Sequence, residues 1–169
     1  WAWGRNNGGK LGLGDTTTRS SPVQIGALTT WRQVGNSGSS TSSGITTSGT
    51  LWTWGYGTYG QLGHSNTTTY KSPVQVGGLT TWAHHNQGSS SFNGITTDGK
   101  IWTCGRATHG VPGHGSTTFY SSPRQVGALT TWAHPISATN WMGAIKTDGT
   151  LWTWGLGSNG KTAQGNTTT

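Results

Sequence analysis

Six histidines, one cysteine and three aspartates are the side chains here that could ligate a metal or carry a proton between reactants. His84-His85 and His134 occupy matching places in a phrase that repeats along the chain, and His64 matches His114. Imidazoles held together can bind a transition metal, but a protein site usually adds carboxylates or thiolates. With no Glu, three Asp and one Cys there is little to complete one, and repetition alone aligns histidines. The sequence therefore calls for no metal and no cofactor. Asp98 and Asp148 each precede a glycine in a turn, and Asp15 lies in a Thr-rich loop. No carboxylate pair is left for glycoside hydrolysis, and no Ser-His-Asp grouping stands out, so no enzyme is expected. Cys104 takes the slot that holds Trp3, Trp54 and Trp154 in other repeats, so it reads as a smaller apolar core residue, not a nucleophile. A single cysteine allows no intrachain disulfide.

The phrase that positions these residues occurs four times. It reads WAWGRNNGGKLGLGDTTT from Trp1, LWTWGYGTYGQLGHSNTTT from Leu51, IWTCGRATHGVPGHGSTTF from Ile101 and LWTWGLGSNGKTAQGNTTT from Leu151. Trp1, Trp52, Trp102 and Trp152 mark a period of roughly fifty residues, as do Gly4, Gly55, Gly105 and Gly155. The repeats run over about 1–51, 52–101, 102–151 and a partial 152–169, a single array. Its unfinished fourth copy suggests a fragment of a longer propeller, or an array closed by another copy.

Each repeat has four parts. The first is the Trp strand with its glycine loop. The second is a Pro-led segment such as KSPVQVG from Lys71, where Pro22, Pro73 and Pro123 suit the start of edge strands because proline lacks a backbone donor. The third is LTTW with a variable stretch, and the fourth is a β-branched run into Ser48-Gly49, Asp98-Gly99 or Asp148-Gly149. Asp-Gly between two strand-like runs predicts two-residue type I′ hairpins, pairing 45–47 with 51–54, 95–97 with 101–104 and 145–147 with 151–154. Alternation puts Trp52 and Trp54 on one strand face, Leu51 and Thr53 on the other. No window keeps a helical apolar spacing, so essentially no helix is expected. The result is an all-β chain of about three and a half four-stranded propeller blades.

Composition sets further limits. Eleven Trp and thirty Gly fit short strands, tight turns and aromatic anchors in a chain only 29% hydrophobic and 8% charged. The net charge of +7 could favour acidic partners, but the basic residues are scattered along the sequence, which makes nucleic acid an unexpected partner. No apolar run is long enough to predict membrane insertion. Asn66-Thr67-Thr68 and Asn166-Thr167-Thr168 match the N-glycosylation acceptor pattern.

The residues LWTWG-x4-GQLG at Leu51 to Gly63, SPVQVG at Ser72 to Gly77 and TDGTLWTWG at Thr147 to Gly155 resemble the RCC1-like repeat family, named after regulator of chromosome condensation 1. The resemblance covers the whole chain. It implies β-propeller blades, usually about seven in a closed ring, and allows a regulator such as a guanine-nucleotide exchange factor or an enzyme-inhibiting propeller. Three stretches depart from the pattern. A Gly and a His-Thr usual before the Ile strand are replaced at Thr41-Ser42, Ser91-Phe92 and Trp141-Met142. The Val kept as Val34 becomes His85 and Pro135, and Leu11 and Leu62 become Pro112 and Thr162.

The framework Trp and Gly residues thus read as architecture: Trp3, Trp54 and Trp154 as core, and Gly4, Gly55, Gly105 and Gly155 as turns. Candidate binding residues fall in the non-repeating segments 32–44, 83–93 and 133–143: Arg32, His84, His85, His134 and Trp141, the last an unrepeated candidate contact. The expected function is a non-catalytic binding or structural module, a surface, fibre or adhesin-type protein outside the cell or on a virion. It would recognise protein or glycan through variable loops, with self-association as a way to complete the propeller.

Overall fold

The computed structural model describes residues 1–36, 40–157 and 162, with Asn36 as backbone only. The second Asn-x-Thr motif, at 166–168, lies outside the described residues. Thirteen strands form four antiparallel sheets, and the only helical elements among the described residues are two 3-10 turns, Asn7–Gly9 and Thr108–Gly110. β1 (Ala2–Gly4) pairs with β2 (Arg19–Val23). The next sheet runs β3 (Trp31–Asn36), β4 (Thr41–Thr46), β5 (Leu51–Gly55), β6 (Tyr70–Gln75). β7 (Trp82–Gln87), β8 (Ser91–Thr96), β9 (Ile101–Gly105) and β10 (Tyr120–Gln125) repeat that order, and β11 (Trp132–Ser137), β12 (Trp141–Lys146) and β13 (Leu151–Gly155) form the last sheet. These are about three and a half blades. Each full blade starts at the LTTW tryptophan and ends with the Pro-led strand, so the blades are out of phase with the sequence phrase.

The Pro strands are edge strands, as proline's missing donor requires. Pro73 and Pro123 stand within β6 and β10 instead of opening them, in each case where the pairing register shifts. The hairpins pair as expected, with Ile45 opposite Leu51, Ile95 opposite Ile101 and Ile145 opposite Leu151. Their turns are not type I′. Gly99 N–H donates to Thr96 O (2.9 Å) and Thr96 N–H to Lys100 O (3.0 Å), which makes a three-residue loop. Gly49, Gly99 and Gly149 alone take positive φ (76°, 73° and 83°). Asp98 instead accepts a hydrogen bond from the Thr96 hydroxyl at 2.5 Å. The Asp-Gly pair marked the turn but could not report its length.

The core lies between sheets. Ile45 and Leu51 of one blade meet Trp82, Phe92 and Cys104 of the next, and Ile95 and Ile101 meet Trp132 and Ala144. Within each blade the LTTW indole packs edge-on against the strand tryptophan: Trp31–Trp52 at 6.3 Å, Trp82–Trp102 at 6.4 Å, Trp132–Trp152 at 6.2 Å. Such pairs add about 0.5–1.5 kcal/mol beyond the area they bury. A second contact joins two of the sheets to the glycine loop before them. Trp54 Nε1–H donates to Lys10 O and Trp154 Nε1–H to Val111 O, both at 2.9 Å. Trp54 is fully buried, while Trp3, with no glycine loop ahead of it among the described residues, is 61% exposed. The expectation of a core Trp3 therefore does not hold in this structure.

Two glycines in equivalent turns separate local strain from blade packing. At Gly149 an added Cβ meets open space, whereas at Gly99 it would run into the Thr130 backbone entering the next blade. Gly149→Ala should cost about 1 kcal/mol, the penalty for a left-handed residue with a side chain. Gly99→Ala should cost about 3 kcal/mol, because it also displaces that backbone. Urea-unfolding midpoints of the two variants check the ranking; equal losses would sink it.

Candidate functional site

The segments singled out as variable do not form outer loops. Their described residues build β3, β7 and β11, the turns after β7 and β11, and the start of the second strand of each blade. These strands pack against one another from blade to blade. Much of the variable stretch is therefore buried, and two separate rims carry what remains exposed.

On the rim of the Asp-Gly turns stand Arg32, His84 and His134, all exposed. The Arg32 guanidinium donates to Trp82 O (2.7 Å) and Ala83 O (3.0 Å) of the next blade. The His84 and His134 rings lie 5.1 Å apart and line an inter-blade cleft of about 390 Å³. Partial burial lowers the His84 pKa, and His134 and Arg32 push it the same way. His85, next in the chain, points inward and is 3% exposed. It faces Gly35 and Ser43 of the preceding blade. The structure thus brings Arg32, His84 and His134 to one rim and removes His85 from it.

The opposite rim carries the described glycine loops and the turns after β7 and β11. Tyr56 N–H donates to Ser40 O, Arg106 N–H to Ser90 O and Leu156 N–H to Asn140 O, so the first residue after each Trp strand is fixed in the same place. Its side chain lies on the previous loop. Tyr56 covers Gly8, and the Arg106 guanidinium sits 5.0 Å above the Tyr59 ring. Arg5, Tyr56, Tyr59, Arg106 and His109 are exposed along this rim, and half-buried Trp141 opens β12 beside Gly155. Of these, sequence reasoning singled out Trp141 and passed over the other five. The available signal was that slots 5, 56, 106 and 156 read Arg, Tyr, Arg and Leu directly after a glycine kept in all four copies.

The remaining candidates are structural. His64 and His114 each bond the strand threonine, Thr53 at 2.9 Å and Thr103 at 3.0 Å, and pack edge-on against Tyr70 and Tyr120. Asp15 pairs with Arg19 at 2.5 Å and holds Asn6 and the Thr17 N–H, closing its loop. Asp98 pairs with Lys100 at 2.7 Å, which with the Thr96 hydroxyl draws its pKa down to about 2. Asp148 accepts from the Thr150 N–H and hydroxyl. Each carboxylate thus serves its own turn. Cys104 is fully buried, and desolvation raises its thiol pKa far above the ordinary range. Asn66 is exposed, its amide held by His64 O and the Tyr70 hydroxyl.

Comparison with known proteins gives one consistent result. The model of the regulator of chromosome condensation (RCC1) repeat matches residues 1–42 and 48–89. The E3 ubiquitin-protein ligase HERC2 of Homo sapiens is 40% identical over 85 residues, 47% of this chain and 2% of that protein. The X-linked retinitis pigmentosa GTPase regulator of Canis lupus familiaris is 42% identical over 78 residues, 45% of this chain and 8% of that protein. The ultraviolet-B receptor UVR8 of Arabidopsis thaliana is 38% identical over 76 residues, 44% of this chain and 17% of that protein. In three dimensions, yeast RCC1 (Prp20) bound to Kap60 superposes with a TM-score of 0.80 at 17% identity, over 96% of this chain and 41% of that one. Human WBSCR16 superposes with a TM-score of 0.78 at 17% identity, over 90% and 41%. At that identity the likeness shows the fold. The chain spans under half of the solved propellers and a small part of the curated relatives.

His85 gives these blades an acid-sensitive seam. No hydrogen bond of ordinary geometry reaches either ring nitrogen. Desolvation is the largest cause, the Ser43 backbone opposes it, His84 and Arg32 add to it, and the pKa falls from 6.5 to about 4. The unfolded chain therefore binds a proton between those two values that the folded chain does not. The stability linked to His85 is complete above pH 6.5 and is lost as pH falls towards 4, by roughly 3 kcal/mol in all. His85→Val, which restores the residue type found at Val34, should flatten the stability profile across that window in denaturant titrations. An unchanged profile would remove His85 as the cause.

Proposed function

Because the chain belongs to the RCC1-like repeat family, its blades part of a β-propeller, we propose that it is a non-catalytic recognition module that binds a protein partner through its glycine-loop rim. One observation carries this reading: a constant backbone presents changing side chains there, Arg5, Tyr56 and Arg106 in one slot and Gly8, Tyr59 and His109 in the next. Arginine and tyrosine supply large contact area with little conformational entropy to lose, which is why both are enriched where interfaces concentrate their energy. Asp15, the one carboxylate in a described glycine loop, is already paired with Arg19, so the rim favours acidic or neutral surfaces. A glycan stacked on Tyr59 or Trp141 is the second ligand class on the same rim. The low charge and the richness in Gly, Ser and Thr support a place on a cell or virion surface, within a fibre or adhesin. Leu151 and Trp3 are exposed at the two ends although Leu51 and Trp54, their counterparts, are buried, which supports docking of further blades there, from the same chain or from a second copy.

The alternative is a regulator. The identity with a protein named as a GTPase regulator supports it. Screening a panel of purified proteins and a glycan array with the wild type and with a Tyr59→Ala/Arg106→Ala double variant separates these readings. Truncating a Tyr or Arg that anchors an interface costs about 2 kcal/mol or more, so the double variant should bind at least about tenfold more weakly while its unfolding midpoint is unchanged. Ligands that bind both proteins equally would reject the rim. Accelerated nucleotide release from a small GTPase would favour the regulator.

A further inference from the structure

His84 and His134 occupy the same step of adjacent strands, His84 opposite Ile95 and His134 opposite Ile145. Their ring centroids are 5.1 Å apart and the ring planes are inclined at 53°. Both side chains are exposed and both line the cleft between the third and fourth sheets. Two imidazoles that ligate one tetrahedral ion at 2.0–2.1 Å place their centroids on the order of 5 Å apart, which matches the observed spacing. We propose that His84 and His134 form a two-histidine site for a divalent transition metal, Zn²⁺ or Cu²⁺, with water in the remaining positions.

The surroundings fit a modest, solvent-open site. No third His, Cys, Asp or Glu completes a cluster among the described residues. Asp98 lines the same cleft, but its carboxylate is engaged by Lys100 and Thr96. Arg32 is a like charge near His84 and opposes any cation, although its guanidinium is tied to the Trp82 and Ala83 carbonyls. His85 is buried on the other side of its strand and takes no part. The lowered proton affinity of His84 leaves its ring neutral, with a lone pair to donate, at neutral pH. Affinity should follow the order Cu²⁺ above Zn²⁺. The site lies on the rim opposite the glycine loops, so it stands or falls independently of the recognition surface.

The test is calorimetric titration of the protein with Zn²⁺ alone and with Cu²⁺ alone at pH 7.5. Gln33 fills the equivalent step in the first full blade, where its amide donates to His85 O at 3.2 Å. His84→Gln and His134→Gln should therefore fold, which their unfolding midpoints verify. The expected result is one equivalent bound by the wild type, at least tenfold weaker binding in either variant, and retention in His109→Asn. Binding that survives in both glutamine variants, or no binding by the wild type at millimolar Zn²⁺, overturns the site.

Discussion

The indole N–H of Trp54 crosses a sheet boundary to reach a carbonyl in the preceding glycine loop, and the array depends on contacts of that kind. A blade edge is sealed by its Pro strand, so neighbouring blades cannot continue one another's ladders. They must instead join through side chains and loop carbonyls. Ser42 donates to the same Lys10 carbonyl as Trp54 (2.9 Å), and the strand threonines hold the loops themselves, Thr53 on Leu62 O and Thr103 on Pro112 O, both at 2.6 Å. The threonines use only the carbonyl. The Leu11 N–H donates to Asn6 Oδ1 (2.8 Å), but Ala107 fills the Asn6 slot in the third copy, so Pro112 stands there without costing a hydrogen bond.

The Cys104 blade shows how the constraint is met when the indole is missing. Cys104 can neither fill the volume of Trp54 nor reach the loop. Phe92 lies opposite it, in the position of Ser42, and packs edge-on against Trp82 at 5.7 Å. Gln87 donates to Gln61 O at 3.3 Å, the carbonyl equivalent to that of Lys10. One neighbour thus supplies the volume and another the hydrogen bond. Large-for-small exchange across a strand pair preserves packing density, on which close-packed interiors depend.

The same repetition turns distance along the chain into adjacency in space. Arg106 meets Tyr59 and His84 meets His134, pairs separated by about one repeat in sequence. Scattered cations and histidines therefore become rims. Two rims result because antiparallel strands return their turns to alternate ends, with the Asp-Gly turns at one end and the glycine loops at the other. The described carboxylates are spent in local turns and ion pairs, which leaves the glycine-loop rim cationic and aromatic.

The sequence by itself determined the repeat, the all-β class, the hairpin pairing, the edge placement of the Pro strands and the inert role of Cys104. These follow from local pattern: a fixed period, alternation, and the backbone limits of Gly and Pro. It could not determine the turn type, because Asp-Gly reports a positive φ without the closing hydrogen bond. It could not set the blade boundaries either, because a repeating phrase has no intrinsic first strand. Only the tertiary structure decided that Trp54 is buried under the preceding glycine loop, and that His85 faces a blade seam while His84 faces solvent. Those outcomes depend on which neighbour lies across an interface, and that is a property of packing that no single repeat contains.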